Sequence, residues 1–205
     1  MFALVESGTI TRYLNGNKGI TLGDTQYPRS IFNLWTEAER NAIGIYTIVY
    51  DDTNKRSTQW YTNTDQSFAF ANSTVTATYG SATAKAHADT LWTAQDETDG
   101  KGTEGEVATR GLKYNLIQTV KAQAAGELAR TDWYITRKAE ESTAIPSAIT
   151  THRRLVRSRQ ATMETSITNA SDTPALETLY TYVNTADEGD PEVIERPLTK
   201  IPTLD

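Results

Sequence analysis

The chain has 205 residues, no cysteine, two histidines and a formal net charge of -6. Disulfide scaffolding, thiolate catalysis and cysteine-based zinc sites are excluded outright. An acidic chain, with a pI near 5.0, is a poor general binder of nucleic acid.

Apolar residues make up 38% and charged residues 22%, and the mean hydropathy is -0.53. That composition suits one or two modest cores rather than a single deep one. No apolar run approaches the ~18 residues of a membrane span. The opening MFALVESGTI lacks the basic region and long apolar core of a signal peptide.

In chain order, the first eighty residues predict a β-rich module. FALVE and TITRYL alternate around Ser7-Gly8, a hairpin signal. NGNKG (15–19) is a turn cluster. Thr36 with Glu39 has capping-box spacing, and Gly44 stands where a left-handed helix cap belongs, so TEAERNAIG predicts about two turns of helix. IYTIVY (45–50), TQWYTN, SFAFAN and STVTATYG predict strands of a meander with one buried face. Asp51, Asp52 and Asn54 are ordinary turn chemistry between two of them.

Residues 81–104 predict an extended acidic linker anchored at Leu91-Trp92. From Lys85 to Glu106 the acids Asp89, Asp96, Glu97, Asp99, Glu104 and Glu106 outnumber Lys85 and Lys101. QDETDGKGTEGE has a degraded calcium-loop spacing. Gln95 replaces the first acid and Gly102 the usual apolar residue, so no metal site is assigned.

The second half predicts helices. Thr103 with Glu106 suggests a cap for a first helix, striped by Leu112, Leu116, Ile117, Val120, Ala124 and Leu128. Gly126 suggests close approach of a neighbour. ARTDWYITRKAEESTA (129–144) reads as a long connection. Pro146 starts a second helix, with Ile149, Val156, Met163 and Ala170 at seven-residue spacing and Leu155 and Ile167 widening the stripe. Thr173-Pro174 opens a third, with Leu176, Leu179, Tyr180 and Val183 on one face. The tail 184–205 is acidic and proline-containing, and predicts an extended path over the surface.

The fold class is therefore α+β: a β-rich module with one short helix (1–80), a linker (81–104), a helical hairpin or three-helix module (105–183) and an extended tail (184–205).

No catalytic or cofactor-binding residue is assigned. His152 reads as a neutral, surface-packed histidine, and no G-x-S-x-G elbow or phosphate loop occurs. The feature that points to a partner is basic. Arg130, Arg137, Lys138, Arg153, Arg154, Arg157 and Arg159 face Asp132, Glu140 and Glu141 in an otherwise acidic chain. Arg153 and Arg157 share a helix face, and Trp133 and Tyr134 lie near in sequence. A single-stranded nucleic-acid site on that helix is the alternative reading. The acidic stretches 85–106 and 187–195 are available to neutralise it instead.

Thr131-Asp132-Trp133 after a helix, then Ile145-Pro146, then His152-Arg153 and Val156-Arg157, resembles the pattern of phage tail assembly chaperones and tail-fibre assembly-like proteins of marine-phage type. FALVESGTITRYL, Phe32-Asn33-Leu34-Trp35 and Gly44-Ile45-Tyr46 are similar to the front module of such proteins. The resemblance is best over 107–183. It departs after Trp133, where YITRKAEESTA replaces a proline-rich strap.

The resemblance implies a non-enzymatic phage tail or fibre-associated protein, in the virion or in the host cytoplasm during assembly. Its partners would be tail or fibre subunits, with self-association open. On this reading Asp132, Trp133 and Pro146 form a structural corner with Trp133 pointing inward. Tyr134, Arg137, Lys138, Arg153, Arg154 and Arg157 are the candidate partner-binding residues.

Overall fold

The computed structural model of the chain describes residues 1–188 and 190–204. It divides into two compact units, Met1–Thr83 and Ala84–Asp205. The class is α+β.

The first unit begins with β1 (Phe2–Glu6) and β2 (Thr9–Leu14). Ser7 and Gly8 both take positive φ, 51° and 79°. That is the two-residue primed turn whose twist matches the strands it joins. A short hairpin follows, β3 (Ile20–Leu22) with β4 (Thr25–Tyr27). Then come α1 (Ile31–Leu34) and α2 (Glu37–Ala42). The predicted capping box on α2 is complete: Glu39 N–H donates to Thr36 Oγ1, and Thr36 N–H donates to Glu39 Oε2. Gly44 follows with φ 79°, and a Cβ there would lie 2.7 Å from the Val5 carbonyl oxygen. Only glycine lets α2 return its chain so close to β1.

β5 (Ile45–Asp51), β6 (Tyr61–Thr62), β7 (Gln66–Ala71) and β8 (Thr74–Tyr79) complete this unit's main strands, and β9 (Thr83–Ala84) follows. The main sheet has the order β2-β1-β5-β8-β7. The predicted meander is corrected here. β5 and β8 run parallel, so the β7–β8 hairpin places its second strand inside the sheet and its first at the edge. TQWYTN is mostly turn, with only Tyr61 and Thr62 in a strand.

The sheet curls into a half-barrel, and its two edge strands approach through Tyr13 and Phe68, whose ring centroids are 4.8 Å apart. One face buries Ala3, Val5, Ile48, Val75 and Ala77. The other buries Leu4 and Ile45 against Ile20, Ile31 and Phe32. β1 is therefore covered on both faces, which explains its unbroken apolar run.

The second unit opens with the stretch expected as a linker, and that expectation is corrected. β10 (Thr90–Leu91), α3 (Ala94–Thr98) and β11 (Val107–Thr109) form a small ordered motif. Gly102 packs on the Trp92 indole. Asp89 accepts from Gly111 N–H at 2.8 Å and pairs with Arg110 at 2.6 Å, tying the motif to the next helix. Thr103 and Glu106 lie in a turn and do not start that helix.

α4 (Leu112–Ala129) and α6 (Ser147–Asn169) pack antiparallel. Lys113 reaches the Thr168 carbonyl at 2.9 Å, while Glu127 meets His152. On α6, Ile149, Val156, Met163, Ile167 and the following Ala170 are buried as the spacing predicts. Leu155 is exposed and lies off the stripe. Between the two helices lies α5 (Asp132–Glu141), where a connection was expected.

α7 (Thr173–Tyr180) is capped by Asp172, which accepts from Ala175 N–H at 2.8 Å. Val183 leaves the expected stripe. It is exposed and belongs to β12 (Val183–Asn184), which pairs with β13 (Ile194–Glu195). Beyond the hairpin, Leu198 is buried, and its N–H donates to the Leu179 carbonyl at 2.8 Å. The tail thus contributes to the core as well as to the surface.

Gly126 is also corrected: a Cβ there meets nothing within 4 Å. With no neighbour to offend, Gly126→Ala is expected to raise the stability of the helical unit by roughly 0.5–1 kcal/mol, read by chemical denaturation. On the sheet, Val75→Ala empties a fully buried site and is expected to lower stability by about 2–3 kcal/mol in the same measurement.

Candidate partner-binding site

The corner between α4 and α5 is built on a buried guanidinium. Arg153 comes from α6 and is only 7% exposed. Its Nη1 donates to the Leu128 carbonyl at 2.8 Å and to Thr131 Oγ1 at 2.7 Å, and its Nη2 pairs with Asp132 Oδ1 at 2.9 Å. Thr131 Oγ1 in turn donates to the Leu128 carbonyl at 3.0 Å. The Leu128 carbonyl also accepts from Thr131 N–H at 3.0 Å, so the end of α4 is closed by Thr131 and tied to α6 by Arg153. Asp132 then sits in the first turn of α5, where a carboxylate suits the helix dipole.

Next to this corner lies a second polar node. Glu127 is 8% exposed. Its carboxylate accepts from Arg130 Nη1 at 3.1 Å, contacts His152 Nε2 at 3.1 Å, and accepts from Leu204 N–H at 2.7 Å. Arg130 Nη2 donates to the Leu204 carbonyl at 3.0 Å. Residue 204 is therefore held at both its amide and its carbonyl. Burial pushes the Glu127 carboxyl upward, but the Leu204 amide, Arg130 and His152 outweigh it, and the group is held below its ordinary 4.5.

These bonds redistribute the candidate residues. Arg153, expected to face a partner, is an internal tie. His152, expected as a neutral surface residue, is half-buried against Glu127. Pro146 immediately precedes α6, and its carbonyl accepts from Thr150 N–H at 3.1 Å. Arg154 and Arg157 are exposed, so the basic stripe keeps only part of its charge for an outside ligand. Arg157 also borders a shallow cavity of about 680 Å³ along α6 with Gln160 and Glu164.

Trp133 is the largest correction. The resemblance implies an inward ring, but Trp133 is 50% exposed; Ile135, 44% exposed, lies on a different side of the same helix. The Trp133 and Tyr134 rings lie 3.8 Å apart, and the Arg137 guanidinium stands 5.5 Å from the Trp133 ring centre. Lys138 is exposed on the same short helix, and Tyr134 is half-buried. Thr131, not Trp133, is the buried residue of the corner. Its signal in the sequence was only its place at a helix end, which many exposed threonines share.

Among the described residues the acidic stretches form no salt bridge with the basic helix. Asp96 and Asp99 each pair with Lys101 at 3.0 Å. Asp96 is held at about 2 by hydrogen bonds from the Thr93 side chain and from Lys101, with the Thr93 amide adding to them. The acids of the calcium-like stretch thus close on a lysine of their own loop. Among the described residues no group of three or more His, Cys, Asp or Glu could hold a metal ion. Nor is any helix long and apolar enough to cross a membrane.

Comparison with family models, curated proteins and solved structures finds no match to the chain.

Two outcomes follow from this geometry. Trp133→Ala should change stability by less than about 1 kcal/mol, because the ring is half in water, whereas Arg153→Ala should lower it by roughly 3 kcal/mol by emptying a buried site and removing three charge-assisted bonds at the corner. Thermal and denaturant unfolding of the two variants checks the contrast. For Glu127 the folded value lies below the unfolded one, so its contribution is present above the unfolded value and fades as pH falls through the folded one. The stability difference between the parent and Glu127→Gln should be full at neutral pH and shrink as pH falls below the ordinary carboxylate value and through the lower folded one, as melting curves across pH will show.

Proposed function

We propose that the chain is a non-enzymatic bacteriophage tail or tail-fibre-associated protein, a virion component or a fibre-assembly factor that works by protein–protein binding. The observation that carries the binding reading is the outward face of α5. The exposed Trp133 and Arg137, one turn apart with the guanidinium over the indole, form one patch, and a firmly tied corner holds it. Aromatic residues and arginine are the groups enriched in the buried centres of protein interfaces, where few residues carry most of the energy.

The tail assignment is supported by the resemblance around Thr131-Asp132-Trp133 and Ile145-Pro146. The corner gives those residues distinct roles in this reading. Thr131 and Asp132 fix the bend through Arg153, and Trp133, Arg137 and Lys138 face the partner.

The test is capture of tail and fibre subunits by the tagged chain, together with mass spectrometry of purified virions. The paired variant Trp133→Ala/Arg137→Gln should keep its helical circular dichroism and lose capture by roughly tenfold or more. The reading fails if virions lack the protein and no tail or fibre subunit is captured.

A further inference from the structure

A second surface of the helical unit gathers positive charge without matching carboxylates. Arg159 from α6 and Arg196 and Lys200 from the segment after β13 line one cavity of about 340 Å³, with Tyr182, Ile194 and a single acid, Glu195. None of the three cations forms a salt bridge among the described residues. The nearby acids Asp187, Glu188, Asp190 and Glu192 stay on the β12–β13 loop without pairing with them.

Aromatic faces hold Arg196 and Lys200 in place instead. The Arg196 guanidinium lies 5.1 Å from the Tyr180 ring centre and 5.9 Å from that of Tyr182, and Lys200 Nζ lies 5.3 Å from Tyr182. Arg196 Nε donates to the Leu198 carbonyl at 2.8 Å, which fixes the plane of the guanidinium. Its two Nη groups make no hydrogen bond among the described residues. A planar fork held still with its outer donors unused is suited to a carboxylate.

Like charges brought together repel, and cation–π contacts offset only part of that repulsion. A ligand with negative charge recovers the rest. The rim decides what kind. Tyr182 is 49% exposed and Ile194 50% exposed, and Val183 and Val193 are exposed on the same hairpin. A free phosphate ion has no use for an apolar rim. A peptide with carboxylates beside apolar side chains uses both.

We propose that the cavity bounded by Arg159, Tyr182, Arg196 and Lys200 binds an acidic, apolar-flanked segment of a partner protein. It lies apart from the α5 patch and stands whether or not the tail reading does.

The test uses the full chain and a fluorescein-labelled peptide of alternating glutamate and leucine, followed by anisotropy. The glutamine counterpart and inorganic phosphate are the comparison probes. The glutamate peptide should bind saturably and weaken as ionic strength rises. Arg159→Gln and Lys200→Gln, each checked for an unchanged melting temperature, should each weaken it roughly tenfold. Arg196 is left intact because it packs on Tyr180. The proposal is overturned by no binding, by equal binding of the glutamine peptide, by parental affinity in both variants, or by phosphate displacing the peptide at matched concentration. The last result would make the cavity a simple anion site.

Discussion

A guanidinium taken out of water needs acceptors around its rim, and Arg153 finds them where α4 gives way to α5. The Leu128 carbonyl already accepts from the Thr131 amide and hydroxyl and takes the arginine as a further donor, while the arginine has donors that burial would otherwise leave bare. The arginine therefore ties the bend to α6. Without this tie, α4 and α5 have no reason to break at Thr131, since DWYITRKAEE continues as helix immediately afterwards. The outward direction of Trp133 is a consequence. Once Thr131 occupies the buried side of the corner, the residue two positions later is carried round to the solvent side.

The Glu127 node extends the same logic to the distal part of the chain. Its carboxylate is surrounded by donors from three places: Arg130 on its own helix end, His152 on α6, and the Leu204 amide. A buried carboxylate with that set is stable only while all three are present. The segment after β13 is thus tied at Leu204, and through Leu198 it supplies apolar burial that a short three-helix unit would otherwise lack. A polar clamp and an apolar plug act on one strap, and the strap also carries Arg196 and Lys200.

What was legible in the sequence was local or periodic. The Ser7-Gly8 turn, the Thr36–Glu39 box and the Ile149, Val156, Met163, Ala170 spacing each depend on neighbours a few residues away, and each is found in the structure. The α+β class follows from the same signals. What was not legible depends on partners far along the chain. His152 looked idle because its partner Glu127 lies 25 residues upstream. Arg153 looked like a surface charge because nothing in HRRLVR marks which arginine turns inward. The 81–104 stretch looked like a linker because it has few large apolar residues. Its order comes from Trp92 on Gly102, two acids on Lys101 and Asp89 on Gly111, contacts that no hydrophobic pattern displays. The inward placement of Trp133 rests on the resemblance and on the ring's size, and size says only that a residue has much area to cover, not what covers it.

The charge distribution gives these corrections a common direction. Acids of the 85–106 stretch are closed locally by Lys101 and Arg110, and Glu127 by Arg130 and His152. Arg153 is closed by backbone and hydroxyl oxygens and by Asp132. Arg159, Arg196 and Lys200 belong to the cations left without carboxylates among the described residues, and they gather at one cavity although the chain as a whole is acidic. Net charge governs long-range repulsion from nucleic acid and other polyanions. A compact cationic cavity with an apolar rim acts only within a Debye length of its surface. An acidic chain with such a cavity is poorly suited to an extended phosphate backbone and better suited to a short carboxylate-bearing segment. That segment escapes the long-range repulsion and still meets the local charge.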